Sequence, residues 1–264
     1  MRTAELNRRI RDRILDLAVA GGEGHIGSSF SIVEILIAVL LGASGQGVGH
    51  ASDEVRSRVA GLVLSKGHAA LALYAVLQEA GVLTDTDLVG FASAGSKFGG
   101  HPTRIPELGI QVSTGSLGHG LPVAAGMAFA SQRLGDGRKY VVVCGDGELN
   151  EGSTWESMLL ITKFSLGNLT LIVDDNGSST RAIDLGNIAK KLSAFGLYVQ
   201  DVDGHSVDDL VLALNRAESH PGPAAVVAKT VKGFGSSVTR NNFSWHHRVP
   251  TREDLLAIRR GYED

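Results

Sequence analysis

Lys139-Tyr140-Val141-Val142-Val143-Cys144-Gly145-Asp146-Gly147 is the stretch that decides the fold. Its first six residues form a β-branched run too continuous for a strand with one wet face, which predicts a central strand of a parallel sheet, covered on both sides. Gly145-Asp146-Gly147 breaks the run sharply. Helical spacing resumes through Trp155, Met158, Leu159 and Ile161. Leu169-Thr170-Leu171-Ile172-Val173 then reads as a second buried strand, ending in Asp174-Asp175-Asn176. Strand, helix, strand in that order is a βαβ unit with a right-handed crossover.

Upstream, Leu6, Ile10, Ile14, Leu17 and Ala18 recur at three- and four-residue spacing and predict a helix over 3–20, stopped by the glycines at 21, 22 and 24. A second helix is expected from Ser31, with its hydroxyl capping free N–H groups and Glu34 reaching back. Residues 42–49 read as a loop. Helices follow over 68–80, closed by a left-handed Gly81, and over 121–134, with Pro122 in the first turn. Downstream, a helix over 188–195, a strand over 198–202, a helix capped by Ser206 and a strand over 224–228 continue the alternation. A polar loop and a last helix, capped by Thr251 with Asp254 three residues on, fill about 230–264. The expected architecture is α/β, a mostly parallel central sheet with helices on both faces, in one domain spanning 1–264.

Composition removes several function classes. The formal net charge of -3 gives no field for a polyanion, so nucleic acid is not an expected partner. The lone Cys144 excludes an internal disulfide and a zinc–thiolate cluster and suits a reducing cytosol. The longest apolar stretch, 30–41, falls short of the roughly 18 residues of a membrane span. Nothing near residue 1 resembles an export signal, so a cytoplasmic location is expected. Glycine, 34 of 264 residues, is in excess without any three-residue period, which excludes collagen and points to tight loops.

Ligands of open α/β sheets bind beyond the carboxyl ends of the strands. Asp146 and Asn176 both fall there, and on neighbouring strands they can point at one spot. A carboxylate and an amide oxygen are hard ligands for Mg²⁺ or Ca²⁺, and Mg²⁺ completes its shell with phosphates and water, which implies a phosphorylated cofactor. Gly145 and Gly147 let the backbone approach a phosphate, and the next helix offers free N–H groups to it. The alternative is a plain strand-to-helix turn with a capping Asp. The 28 residues between Gly147 and Asn176, and an Asn at the end of the next strand, weigh against that.

The segment from Gly145 to Asn176 resembles the thiamine diphosphate motif. The whole chain resembles the N-terminal, diphosphate-binding part of the transketolase family. Supporting stretches occur in order: Gly24-His25-Ile26-Gly27-Ser28, Leu64-Ser65-Lys66-Gly67-His68-Ala69, Gly99-Gly100-His101-Pro102, the run from Ser113 to Gly120, and Val202-Asp203-Gly204-His205. The resemblance implies that Asp146, the Asn176 side chain and the Ser178 carbonyl hold Mg²⁺, with Ca²⁺ or Mn²⁺ as substitutes, bridging the phosphates of thiamine diphosphate. It places Gly145 and Gly147 against the diphosphate, His68 in a hydrogen bond to it, and Gly115, Ser116 and Leu117 against the aminopyrimidine ring. Glu151, counted with the cofactor site, and Glu156 match acidic positions that face the partner across the family's subunit interface; their five-residue spacing does not put them on one helical face. Ile26, where the family often has Pro, and His119, where it often has Gln, depart from the pattern close to the expected site.

Nine histidines are present and six follow a glycine directly. None shows the His-x-x-x-His spacing of a zinc helix, which argues against a catalytic metal on histidine. His50 and His220 read as ordinary surface or capping residues. His25, His68 and His101 match family histidines, and His246 a fourth, with its neighbour His247 as the alternative. Transketolase-type reactions cut a carbon–carbon bond beside a ketose carbonyl with the thiazolium ring as electron sink, and the protein moves protons near neutral pH, which suits imidazole. By the resemblance His101 serves the donor C1 hydroxyl, and His25 and His246 transfer protons at the donor C3 and acceptor oxygens. The family's pyrimidine-binding domain, with its activating glutamate, and its sugar-phosphate arginines are not matched. The resemblance therefore implies a separately encoded C-terminal subunit in an α2β2 assembly, acting on sugar phosphates. Three other readings stay open: delivery of the same two-carbon unit to a carrier thioester, or synthesis of a deoxyxylulose phosphate; a non-catalytic cofactor-binding subunit; and a flavodoxin-like nucleotide binder.

Overall fold

The computed structural model describes residues 2–42 and 51–263. Five parallel strands, β1 (Leu62–Leu64), β2 (Tyr140–Gly145), β3 (Leu169–Asp175), β4 (Tyr198–Asp203) and β5 (Ala224–Lys229), lie in the order β1-β2-β3-β5-β4. The expected βαβ unit is β2, α7 (Gly152–Lys163) and β3, whose register pairs Gly145 with Asp174. Side chains alternate across β2: Val143 joins the core on one face, Val142 and Cys144 the core on the other. That double burial is why no polar residue interrupts the run. The first face is covered by α1 (Arg2–Gly21), α3 (Val33–Leu40), α5 (Ala70–Glu79) and α9 (Val207–Ser219). The second is covered by α6 (Gly120–Leu134), α7 and α8 (Ile188–Ala194).

Several expectations are met in detail. Gly81 is left-handed after α5, Ser206 accepts from the Asp209 N–H at 3.2 Å, and Thr251 with Asp254 forms a capping box on α10 (Arg252–Arg260). The helix predicted from Ser31 is corrected. A short helix, α2 (Ile26–Phe30), precedes α3, and Ser31 sits between them with its hydroxyl donating to Asp174 at 2.8 Å and lying 3.0 Å from the Ser28 carbonyl. Glu34 caps nothing. It is fully buried, accepting from Arg11 at 2.7 Å and facing His205 Nδ1 at 3.2 Å, so an ion pair in the core takes the place of the expected capping box. Of the loop expected over 42–49, residues 43–49 lie outside the described residues, as does His50. The edge strand β1 and the helix before it, α4 (Asp53–Gly61, capped by Ser52), were not anticipated.

Beyond β5 the chain turns back across the strand ends. His205 accepts from the Val231 N–H at 2.8 Å and stacks on Phe234, while α10 closes on α1 through Arg259, which donates to Asp12 and Asp16. The Arg11, Glu34 and His205 network therefore fixes the segment that carries Lys232 and His246.

Burial alone would raise the Glu34 carboxyl, but Arg11 and His205 hold it below the usual range. Its contribution to stability is present above the unfolded value near 4.5 and is lost as pH falls through the lower folded value. Arg11→Met, which leaves this carboxylate without its guanidinium, is expected to cost about 3–5 kcal/mol in urea unfolding at pH 7. A loss below about 1 kcal/mol, the worth of a surface pair, would show that the network does not anchor the fold.

Candidate active site

The C-terminal ends of β2 and β3 meet side by side, as the strand register requires. Asp146 opens the turn after β2, with Oδ1 accepting from the Gly147 N–H at 2.7 Å and Oδ2 from the Ser179 N–H at 3.0 Å. Asn176 follows β3. Its Nδ2 donates to Asp174 at 2.7 Å and its Oδ1 accepts from the Ser178 N–H at 3.1 Å. The bond to Asp174 fixes which way the amide faces, so its oxygen is turned toward the 176–179 loop. The Ser178 carbonyl accepts from the Arg181 N–H at 3.3 Å and keeps a second lone pair. Asp146, Asn176 and Ser178 are thus brought together, linked through the Ser178 and Ser179 amides.

Asp174 is fully buried and collects four donors: Lys66, Ser31, Asn176 and Thr230. Burial would raise its carboxyl, but Lys66 beside it brings it below the ordinary range. Asp146 shifts the other way, raised first by burial and further by Asp174, against the two backbone donors. Glu148, also buried and raised for that reason, accepts from Ser65 and, at 2.9 Å, from the Gly118 N–H. It ties the 115–118 turn to the strand ends. Gly67 allows the same turn to approach β1: a Cβ there would lie 2.8 Å from the Thr114 carbonyl carbon and 2.9 Å from the Gly115 nitrogen.

Around this floor stand the histidines. The His25 ring lies 5.4 Å from His68, 6.1 Å from His101, 5.5 Å from His246 and 4.6 Å from His247, centroid to centroid, and His68 lies 6.2 Å from His246. His25 takes a left-handed backbone, φ 61°, at the start of α2. Gly115 packs against the His101 ring. Lys232 joins the two halves of the site, with Nζ 3.1 Å from Ser178 Oγ and 3.0 Å from His246 Nδ1. Burial, then Lys66, pushes the His68 imidazole down to about 2, and burial, then His247, pushes His25 to about 4. His246 is lowered by burial and by Lys232, which itself falls to about 8 through burial and Lys66. One turn beyond His25, the buried hydroxyls of Ser28 and Ser29 have no hydrogen-bond partner among the described residues.

Other residues selected from the sequence sit at the margin. Ser116 is exposed and Leu117 half-buried on the 115–118 turn; Glu151 and Glu156 are exposed on and before α7, where Glu151 packs against Gly118. His119 is exposed with Nδ1 3.1 Å from the Leu117 carbonyl, Ile26 is wholly in the core, and His220 stacks on Tyr198 at the far end of the sheet. A cavity of about 800 Å³ also lies at that far end, lined by Lys139, Tyr140 and Asn168. Lys66, Asp174, Glu148 and Lys232 were missed. The one sequence signal for them was that Lys66, Asp174 and Glu148 fall inside the stretches that carry the family resemblance.

The arrangement can hold a hard cation on oxygen ligands, set the Lys232 ammonium beside a phosphate, and exchange protons at the imidazoles of His25 and His246, which burial keeps neutral at pH 7. A family profile described as transketolase, thiamine diphosphate binding domain, matches residues 3–262. The chain is 35% identical over 258 residues to one subunit of the apulose-4-phosphate transketolase of Actinobacillus succinogenes, covering 95% of this chain and 92% of that protein. It is 38% identical over 246 residues to the transketolase of Homo sapiens, covering 90% of this chain but 38% of that protein. The structure of transketolase from Leishmania mexicana superposes with a TM-score of 0.82 at 29% identity, over 97% of this chain and 40% of that one.

Histidine titration followed by NMR should find His25 neutral down to about pH 4 and His68 down to about pH 2. Because both folded values lie below the unfolded 6.5, each imidazole makes folding less favourable as pH falls below 6.5. A His68 resonance that titrates near 6.5 would contradict the packing described.

Proposed function

The chain belongs to the transketolase thiamine diphosphate binding domain family, and from that premise we infer that it is the diphosphate-binding subunit of a two-chain transketolase. The observation that carries this reading is the meeting of Asp146 and Asn176 at adjacent strand ends, beneath a cluster of neutral histidines. The 264 residues act as one diphosphate-binding domain.

The residues present fit the implied groups. Asp146, the Asn176 oxygen and the Ser178 carbonyl are hard donors and would hold Mg²⁺, or Ca²⁺ or Mn²⁺ in its place. A divalent cation there also offsets the burial that raises Asp146. Nothing lies within 4 Å of a Cβ built on Gly147, which leaves room for a diphosphate. When bound, thiamine diphosphate supplies the thiazolium carbon that accepts the electrons of the broken carbon–carbon bond. Lys232 contributes positive charge beside Ser178, and His68, being neutral, would donate one N–H to a phosphate oxygen without adding charge. Gly115, Ser116 and Leu117 would support the aminopyrimidine ring.

His101 would hydrogen-bond the C1 hydroxyl of a ketose phosphate. His25, unprotonated at neutral pH, would take the proton of the donor C3 hydroxyl, and His246, whose Nδ1 accepts from Lys232 and whose hydrogen therefore sits on Nε2, would give one to the acceptor oxygen. His246 is preferred to His247 because its Nδ1 is held by Lys232 and its ring faces both His25 and His68. The family's active site lies between this domain and a pyrimidine-binding domain, and by analogy with relatives named as one subunit the chain is read as acting with a second polypeptide, in an α2β2 assembly in the cytoplasm. Two observations support a partner: relatives of nearly this length are named as one subunit of a transketolase, and Leu159 and Leu160 stand exposed on α7 near Glu156. No helix among the described residues is long and apolar enough to cross a membrane.

Calorimetry should show Mg²⁺-dependent binding of thiamine diphosphate that Asp146→Ala weakens by about 10- to 100-fold or more. In the reconstituted pair, with apulose 4-phosphate, the substrate in the name of those relatives, as the first donor, His101→Ala should lower turnover by about 10²- to 10⁴-fold. Unchanged turnover would assign this chain a non-catalytic role. Enzyme-like turnover by the chain alone would overturn the need for a partner.

A further inference from the structure

The geometry points to a second cation site, formed by Glu23, His25 and His247, that takes a borderline divalent metal such as Zn²⁺. Ligating atoms of the three lie within 4.8 Å of one another, and the two rings stand 4.6 Å apart. Two imidazole nitrogens and one carboxylate, with water in the fourth position, are a three-ligand set suited to Zn²⁺, Co²⁺ or Ni²⁺. The oxygen donors at Asp146 and Asn176 suit Mg²⁺ instead, so the two sites differ in the metal they select.

Three features build this site into the frame. The Glu23 N–H donates to the Ala18 carbonyl at 2.9 Å, which anchors it to the end of α1. Gly24 rests backbone to backbone on the 247–248 segment: a Cβ there would lie 2.8 Å from the Arg248 nitrogen and 3.0 Å from the His247 carbonyl carbon. The left-handed turn at His25 follows at once. Segments far apart in sequence are thereby locked together with their ligands on one side. The Glu23 carboxylate lies against Gly100, and among the described residues the side chains of Glu23, His25 and His247 make no hydrogen bond or ion pair, so no protein donor competes for them. His246 is kept out of the set by Lys232 at its Nδ1.

A metal here occupies His25 and removes it from proton transfer. That consequence rests on the function proposed above; the binding does not.

The test uses the full chain with excess Mg²⁺, which saturates the oxygen site. Co²⁺ should give the visible bands of four-coordinate nitrogen and oxygen ligation, displaced by Zn²⁺, with one Zn²⁺ bound per chain in calorimetry. Glu23→Gln and His247→Asn should each weaken Zn²⁺ binding by about 10-fold or more, with circular dichroism unchanged, and His119→Asn should not. Absence of those bands, or affinity that is indifferent to Glu23→Gln and His247→Asn, overturns the site. So does an equal loss in His119→Asn, the mark of adventitious surface binding. In the reconstituted pair, Zn²⁺ bound without inhibition upholds the site and overturns the role given to His25.

Discussion

The arrangement of the strand ends depends on one buried ion pair, Lys66 with Asp174. Both side chains are almost wholly removed from water, and Asp174 is the point where four segments meet: β3 with Asn176 at its end, Lys66 after β1, Ser31 after α2 and Thr230 after β5. A buried pair is a poor source of stability, because desolvation of both ions offsets much of their attraction. Its effect here is directional. A saturated Asp174 has one place left for the Asn176 amide nitrogen, which determines where the amide oxygen points. The same pair holds an ammonium beneath the ends of β2 and β3, so the floor of the site is charge-balanced before any ligand arrives.

Charge is distributed unevenly above that floor. Lysines lie low and central, at 66 and 232, while the imidazoles are partly dehydrated and crowd one another. His25, His68 and His246 are thereby held from becoming cations, since a second positive ring would face the first at 5.4 to 6.2 Å. The oxygen donors of Asp146 and Asn176 lie at the strand ends, the imidazoles stand above them, and Lys232 borders both.

Most of the fold was legible in the sequence because its signals are local. An uninterrupted apolar run meant a strand covered twice, and Ser206 and Thr251 marked their helices by capping chemistry. The failures share a different cause. Ser31 and Glu34 have the spacing of a capping box, but Asp174 and Arg11, distant in sequence, compete for the same side chains and win through burial. β1 is three residues long and borrows its definition from β2, so no periodicity announces it. At the candidate site, residues with recognisable neighbours, such as Asp146 and His25, stand out in the sequence. Lys232 was not, because a lysine in a polar loop looks like any solvated lysine until the fold buries it.

His25 shows what this organisation demands of the backbone. A non-glycine residue in a left-handed conformation lies roughly 1–2 kcal/mol above its relaxed state, and His25 is also among the more dehydrated of the clustered imidazoles. Glycine would suit the turn better and would keep α1, α2 and the 245–248 segment in place. Selection for thermal endurance alone would therefore tend to erase this imidazole, and its presence is a compromise in which the chain accepts a less restful backbone to keep a ring at the centre of four others.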